Sequence, residues 1–383
     1  MRSIRITGPI WFLILVLTFE ICNVTSLGSA EGQLTLTPSA TPKGRIAYFS
    51  QQTAKNTSVL NVVDVDGSNP QIYHAGCSNW PGYWSPDGKI YAFFEAANAE
   101  PCSGKLRKVH IFNAEDKSVR TIENTHSLFP SPLFWSLDSK QLAFVAGLED
   151  GEQLFVVNPD GSGLRQLTND RLNKQAFMAA WSPDGKQLAY VTILDSGTAF
   201  YTIKSDGTDP HQLANSTISG QVSSDFSWLD NQRIIFSTHH GTSWSIYTVN
   251  VNSYELAKLS ANNEDDRENA GNLSVSPYGN YVAYILYGKD KQKLCIVEAS
   301  GRNNRCFEKG MENLVLVWAN RVPFSYLRPA WSPDEKYLAF GAWNWAETSP
   351  TYHIYIIDIE GANLHRLTAN DNAKMELDPV WLP

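Results

Sequence analysis

The sequence predicts an all-β protein built as a closed ring of seven four-stranded antiparallel sheets, and three observations lead to that expectation. One string, Trp181-Ser182-Pro183-Asp184-Gly185-Lys186-Gln187-Leu188-Ala189-Tyr190-Val191, recurs nearly unchanged from Trp84 and Trp331 and in weaker form from Trp135, Trp228 and Val275. A seventh copy is divided between the chain ends, its front at Asp378 to Trp381 and its back at Gly44 to Phe49. The positions equivalent to Trp181, which are 84, 135, 181, 228, 275, 331 and 381, are separated by 51, 46, 47, 47, 56 and 50 residues. Such a period is that of stacked supersecondary units rather than of separate domains. Finally, no segment keeps a long apolar period of 3.6 residues, so helix is not expected.

The string itself reads as strand, tight turn, strand. Pro183 presets one turn dihedral and Gly185 accepts a positive φ. Beyond the turn, Leu188 and Tyr190 alternate with Gln187 and Ala189, and a small residue returns at Ala47, Ala92, Ala143, Ala283 and Ala339. That repetition suggests a neighbouring sheet at close approach, with the Trp residues as core rather than as a ligand cage.

In chain order, residues 1–30 read as an export signal, or as an N-terminal membrane anchor formed by residues 6–27. Arg2 and Arg5 precede the apolar run Ile10 to Phe19, and Gly28-Ser29-Ala30 offers a cleavage site. Residues 31–43 are a Thr/Pro/Ser-rich linker. Residues 44–383 carry the repeats. In the third unit, Gln141 to Ala146 and Gln153 to Asn158 are strands, Pro159 to Ser162 a turn, and Leu164 to Thr168 a further strand. Small sheets repeated seven times leave edges exposed unless they are arranged radially, so a β-propeller is the closed solution. The split seventh copy predicts that Pro379 to Leu382 pairs with Ile46 to Ser50 and closes the ring.

A formal net charge of −8, without a basic stripe, argues against nucleic-acid binding. Cys77, Cys102, Cys295 and Cys306 remain after export, an even number in an oxidising compartment. Cys295 and Cys306 flank the turn at Ala299 to Arg302 symmetrically, which pairs them across a hairpin and leaves Cys77–Cys102 as the second bond. The turns at Asp64 to Asn69, Asp160-Gly161 and Asp206-Gly207 carry too few oxygens for calcium and read as hairpin turns. No metal site and no cofactor is expected.

The string W-S-P-D-G-K-x-L-A-[FY], followed by a strand ending in Asp-Gly and then by Leu-Thr, resembles the repeat of TolB-type (WD40-like) β-propellers over residues 44 to 383. The resemblance implies four-stranded blades around a central channel, with the Trp strand innermost. The small domain that precedes the propeller in TolB has no counterpart between Ala30 and Gly44. Peptidases with similar blades carry a G-x-S-x-G elbow, and this sequence has none.

Where the units differ is where a partner can be distinguished. Those differences concentrate in one set of loops, holding Trp80, His239 and His240, the acidic run with Glu264, Asp265 and Asp266, an insertion at Met311 to Leu327 with Trp318, and Trp343 and Trp345. The expected function is therefore a periplasmic or secreted, monomeric, non-catalytic binding propeller that recognises a protein or glycan of the cell envelope. The alternative is a propeller enzyme, a glycan lyase or hydrolase, with His239, His240 and nearby carboxylates above the channel.

Overall fold

The computed structural model describes residues 44–51, 58–76, 82–96, 107–127, 133–148, 151–169, 175–194, 197–213, 222–240, 243–260, 268–288, 291–316, 328–346, 352–368 and 375–382. These form seven antiparallel sheets, one per repeat, and no helix. Blades are numbered from the chain start. In blades 1 to 6 the sheet has four strands, and the strand that ends at the Trp position is innermost. Successive innermost strands touch one another from blade 2 through blade 7 and on to blade 1, so the sheets stand radially around an axis.

The turn chemistry explains why the same string begins each blade. Ser182 Oγ accepts the N–H of Gln187 at 3.0 Å and donates to Asp184 Oδ1 at 2.8 Å, while Gly185 sits at φ 67°. Ser85, Ser136 and Ser332 repeat this arrangement with Asp87, Asp138 and Asp334. In blade 7 the glycine is replaced by Glu335 at φ 58°, a backbone state that residues with a side chain seldom adopt. Its carboxylate accepts the N–H of Tyr278 at 2.6 Å and the amide of Asn280 at 2.8 Å, which ties blade 7 to blade 6.

The tryptophans fasten each blade to the one before. The indole N–H groups of Trp135, Trp181, Trp228, Trp331 and Trp381 donate to the carbonyls of Tyr83, Phe134, Ala180, Ser274 and Ala330, at 2.9 to 3.1 Å. Between blades, alternate residues of one sheet meet the next: Leu188 and Tyr190 pack against blade 3, whereas Ala189 and Val191 pack against blade 5. The repeated small residue thus sits where the following blade's Trp comes close.

Blade 1 holds both ends of the repeat region. The strand Met375–Leu382 pairs with Arg45–Gln51, with Ile46 opposite Trp381, and the closure extends beyond the expected four residues. Cys295 and Cys306 face each other across two strands of blade 6 and form a disulfide, with Cα atoms 3.9 Å apart. Cys77 and Cys102 lie outside the described residues, as do residues 1–43.

Blade 7 departs from the pattern, and the insertion is the reason. Its innermost strand is in two pieces: Leu314–Leu316 pairs with the outer half of Tyr337–Asn344, and Ala330–Trp331 pairs with the inner half. Met311, Leu314 and Leu316 are buried, so within the expected loop at Met311 to Leu327 the stretch Leu314–Leu316 is core strand. Residues 317–327, Trp318 among them, lie outside the described residues.

Candidate functional site at the channel mouth

The connections that link blades, and those between the second and third strands of each blade, emerge on one face of the ring; the short Pro-Asp-Gly and Asp-Gly turns occupy the other. Each innermost strand begins at the first face. Close before the Trp position, this strand is irregular in blade after blade. Register shifts fall between Ala176 and Met178, between Val222 and Phe226, and between Gly271 and Ser274. In the shift of blade 6, Asn272 takes φ 54°, a left-handed state that asparagine tolerates. Bulges of this kind re-aim side chains. In blade 7 the same place falls between Leu314–Leu316 and Ala330–Trp331.

The residues three before the Trp position in blades 5, 6 and 7 are Asp225, Asn272 and Arg328, and the ring brings them together. Asp225 is 2% exposed. Its Oδ2 accepts the N–H of Leu273 at 2.9 Å, and its Oδ1 lies 3.1 Å from the Arg328 guanidinium. Blades 5 and 7 are not neighbours, so this ion pair passes through the interior of the ring in front of blade 6. There Tyr287 donates its hydroxyl to Asn272 Oδ1. Burial pushes the Asp225 carboxyl above its ordinary range, against the opposing pull of Arg328 and of the Leu273 and Asn272 N–H groups. Burial, and secondarily the Asp225 charge, likewise raise the Tyr287 phenol. The cluster is a hydrogen-bonded polar floor, to which blade 7 contributes Arg328.

The same face carries one exposed large apolar residue among the described residues. Trp345 is 60% exposed, and its N–H donates to the Asn313 carbonyl at 3.2 Å, extending the pairing of the split strand. Of the others, Leu137 and Tyr278 belong to turns on the opposite face, and Ile72 and Val119 to outer strands. Trp343, expected in a loop, lies instead within the strand Tyr337–Asn344, opposite Val315, and is half-buried against the core. His239 and His240, also expected in a loop, are instead the last residues of the strand Arg233–His240, opposite Trp244 and Ser243; only their backbone is described. Trp80, Glu264, Asp265 and Asp266 lie outside the described residues. Among the described residues no group of three or more His, Cys, Asp or Glu is placed to hold a metal ion.

The sequence matches the TolB beta propeller domain over residues 33–314. The chain belongs to the TolB β-propeller domain family. The search of curated proteins returned no match. Among solved structures, this TolB-family propeller is similar to the β-propeller domain of the Trilobed protease from Pyrococcus furiosus, at 12% identity and a TM-score of 0.60 over 87% of this chain and 95% of that one. It is similar also to an oligogalacturonate lyase from Vibrio parahaemolyticus, at 12% identity and a TM-score of 0.55 over 87% and 90% of the two chains. With TolB from Acinetobacter baumannii the identity is 18% and the TM-score 0.47, over 68% of this chain and 62% of that one. The chain therefore spans less than two thirds of that TolB. At such identities the likeness is one of fold.

Sequence reasoning missed the Asp225–Arg328 pair. Its signal was available in the repeat: aligned on the Trp position, blades 5, 6, 7 and 1 carry Asp225, Asn272, Arg328 and Asp378, whereas blades 2, 3 and 4 carry Pro81, Pro132 and Met178.

Proposed function

We propose that this chain is a non-catalytic extracytoplasmic binding propeller, exported by residues 1–30 or anchored by residues 6–27, that holds a protein or glycan of the cell envelope at the channel mouth. The observation that carries this reading is the exposure of Trp345 on the face where the innermost strands begin, the sequence insertion at residues 317–327 opening on the same blade. Leu316, before this segment, ends one piece of the innermost strand of blade 7, and Arg328, after it, pairs with Asp225 two residues before the other piece begins. A partner that enters the mouth meets a polar floor held by buried hydrogen bonds. Exposed tryptophan is a favoured anchor for proteins and for sugar rings alike. Trp343, Trp318, Trp80, His239, His240 and the Glu264 to Asp266 run are assigned to the same face as supporting contacts.

The test is retention of envelope components by immobilised protein. Wild type is compared with Trp345→Ala and with a variant in which residues 317–327 are replaced by a short Gly/Ser linker. The proposal expects at least one component to be lost from both variants while their melting transitions stay at the wild-type value. Retention of the same components by all three proteins contradicts it.

A further inference from the structure

Between blades 3 and 4 lies a cleft of about 170 Å³, away from the channel-mouth residues. Gln153 and Thr168 line it from blade 3, and Ala176, Tyr190, Thr192 and Tyr201 from blade 4. The cleft arises from one cross-strand pair. Ala176 stands opposite Thr192 in the register of blade 4. At the equivalent place in blade 6 Ala270 stands opposite Leu286, and in blade 1 Glu376 stands opposite Ser50; in each, one large side chain is buried in the interface. The blade 4 pair combines two small residues, and the interface there is left with a hollow.

The hollow is furnished with hydrogen-bonding groups. Thr192 is 4% exposed, and its hydroxyl has no hydrogen-bond partner among the described residues. A buried hydroxyl left unsatisfied is unfavourable unless something occupies the site. Beside it, Thr168 donates to Gln153 Oε1 at 2.7 Å, and Tyr201 donates to Gln212 at 3.1 Å. Tyr190 and Tyr201 stack with ring centroids 5.3 Å apart and supply an aromatic wall. Among the described residues no charged side chain lines the cleft.

Size and chemistry together select an occupant. A cavity of about 150 Å³ accepts a single benzene-sized ring when its walls are apolar. Walls of the same capacity that carry hydroxyls, an amide and aromatic rings suit a six-membered ring that itself carries hydroxyls, and the lack of a charged partner suits a neutral one. We propose that this cleft binds one neutral hexose unit.

The test is titration of the full-length protein, followed by saturation-transfer NMR, with glucose, galactose, mannose and galacturonate and with the disaccharides of the three neutral sugars. The disaccharides separate a free sugar from the end of a glycan chain. The proposal expects at least one neutral hexose to bind saturably and galacturonate to bind more weakly. Thr192→Val keeps the shape and removes the hydroxyl, and is expected to weaken that binding by about tenfold. Ala176→Leu fills the hollow and is expected to abolish it. If Ala176→Leu fails to fold, Thr192→Val still decides. Absence of binding by all the neutral sugars, or an affinity unchanged by Thr192→Val, overturns the proposal.

Discussion

The indole N–H of Trp181 donates to the backbone carbonyl of Phe134 in the preceding blade, at 2.9 Å. Five of the six repeat tryptophans make this bond, and the exception is instructive: Trp84 is equally buried, but its N–H has no partner among the described residues. The residue type at this position is thus explained by more than volume. A Trp→Phe change at 181 removes an interblade hydrogen bond, whereas at 84 it removes an orphan donor. Trp181→Phe is expected to cost about 1–2 kcal/mol more than Trp84→Phe in denaturant unfolding. Equal losses would mean that ring volume alone sets the choice.

The ion pair between Asp225 and Arg328 predicts an asymmetry between single variants. Arg328→Ala leaves a carboxylate at 2% exposure without the guanidinium beside it, at an expected cost of about 3 kcal/mol. Asp225→Asn keeps an acceptor for the Leu273 N–H and leaves Arg328, a quarter exposed, in reach of water, so its cost is expected to be smaller. A double-mutant cycle on unfolding free energies measures the coupling; a coupling near zero would remove the pair from the account.

Two buried groups predict the pH dependence of stability. Burial pushes the Glu376 carboxyl up to about 8 from 4.5, with Thr368 and Arg366 pulling weakly the other way. The folded state therefore holds a proton more tightly than the unfolded chain, so this contribution is complete below pH 4.5 and is lost as the pH rises toward 8. Burial depresses His365 from 6.5 to about 3, so its contribution is present above pH 6.5 and is lost as the pH falls toward 3. The two trends cancel in the overlap, and the melting temperature should be flat between about pH 4.5 and 6.5 and fall on either side. Glu376→Gln removes the alkaline loss, which has a limiting slope of about 1.4 kcal/mol per pH unit. An alkaline limb identical in wild type and Glu376→Gln would show that other groups produce it.

Closure of the ring through Met375–Leu382 and Arg45–Gln51 makes blade 1 dependent on both segments. Removing residues 375–383 leaves the edge of Arg45–Gln51 without its partner strand and blade 7 without the indole bond from Trp381 to Ala330. The truncated protein is expected to lose cooperative unfolding, monitored by near-UV circular dichroism. A single transition at the wild-type temperature would contradict closure.

The fold was legible because its determinants are local and repeated. Ser182, Asp184 and Gly185 close their turn with bonds spanning two to five residues, and each repeat of that chemistry marks another blade. The hairpin symmetry that paired Cys295 with Cys306 is equally local. The site was less legible because its contacts are not. Arg328 reaches Asp225 only across the interior of the ring, from blade 7 past blade 6 to blade 5. Trp343 is strand because Val315, from the other side of the insertion, pairs with it. His239 and His240 extend their strand through pairing with Trp244 and Ser243. Amino-acid type at these positions does not report which stretch of chain will lie alongside.

The central claim is that the face bearing Trp345, and not the face of short turns bearing Tyr278, meets the partner. Tyr278 is 74% exposed and Trp345 60%, so the two offer matched aromatic probes on opposite faces. A photo-crosslinking residue, benzoylphenylalanine, introduced at either position in cells exporting the protein tests the claim directly. The account predicts discrete crosslinked species from position 345 and none from position 278. Crosslinks from position 278 alone would contradict it.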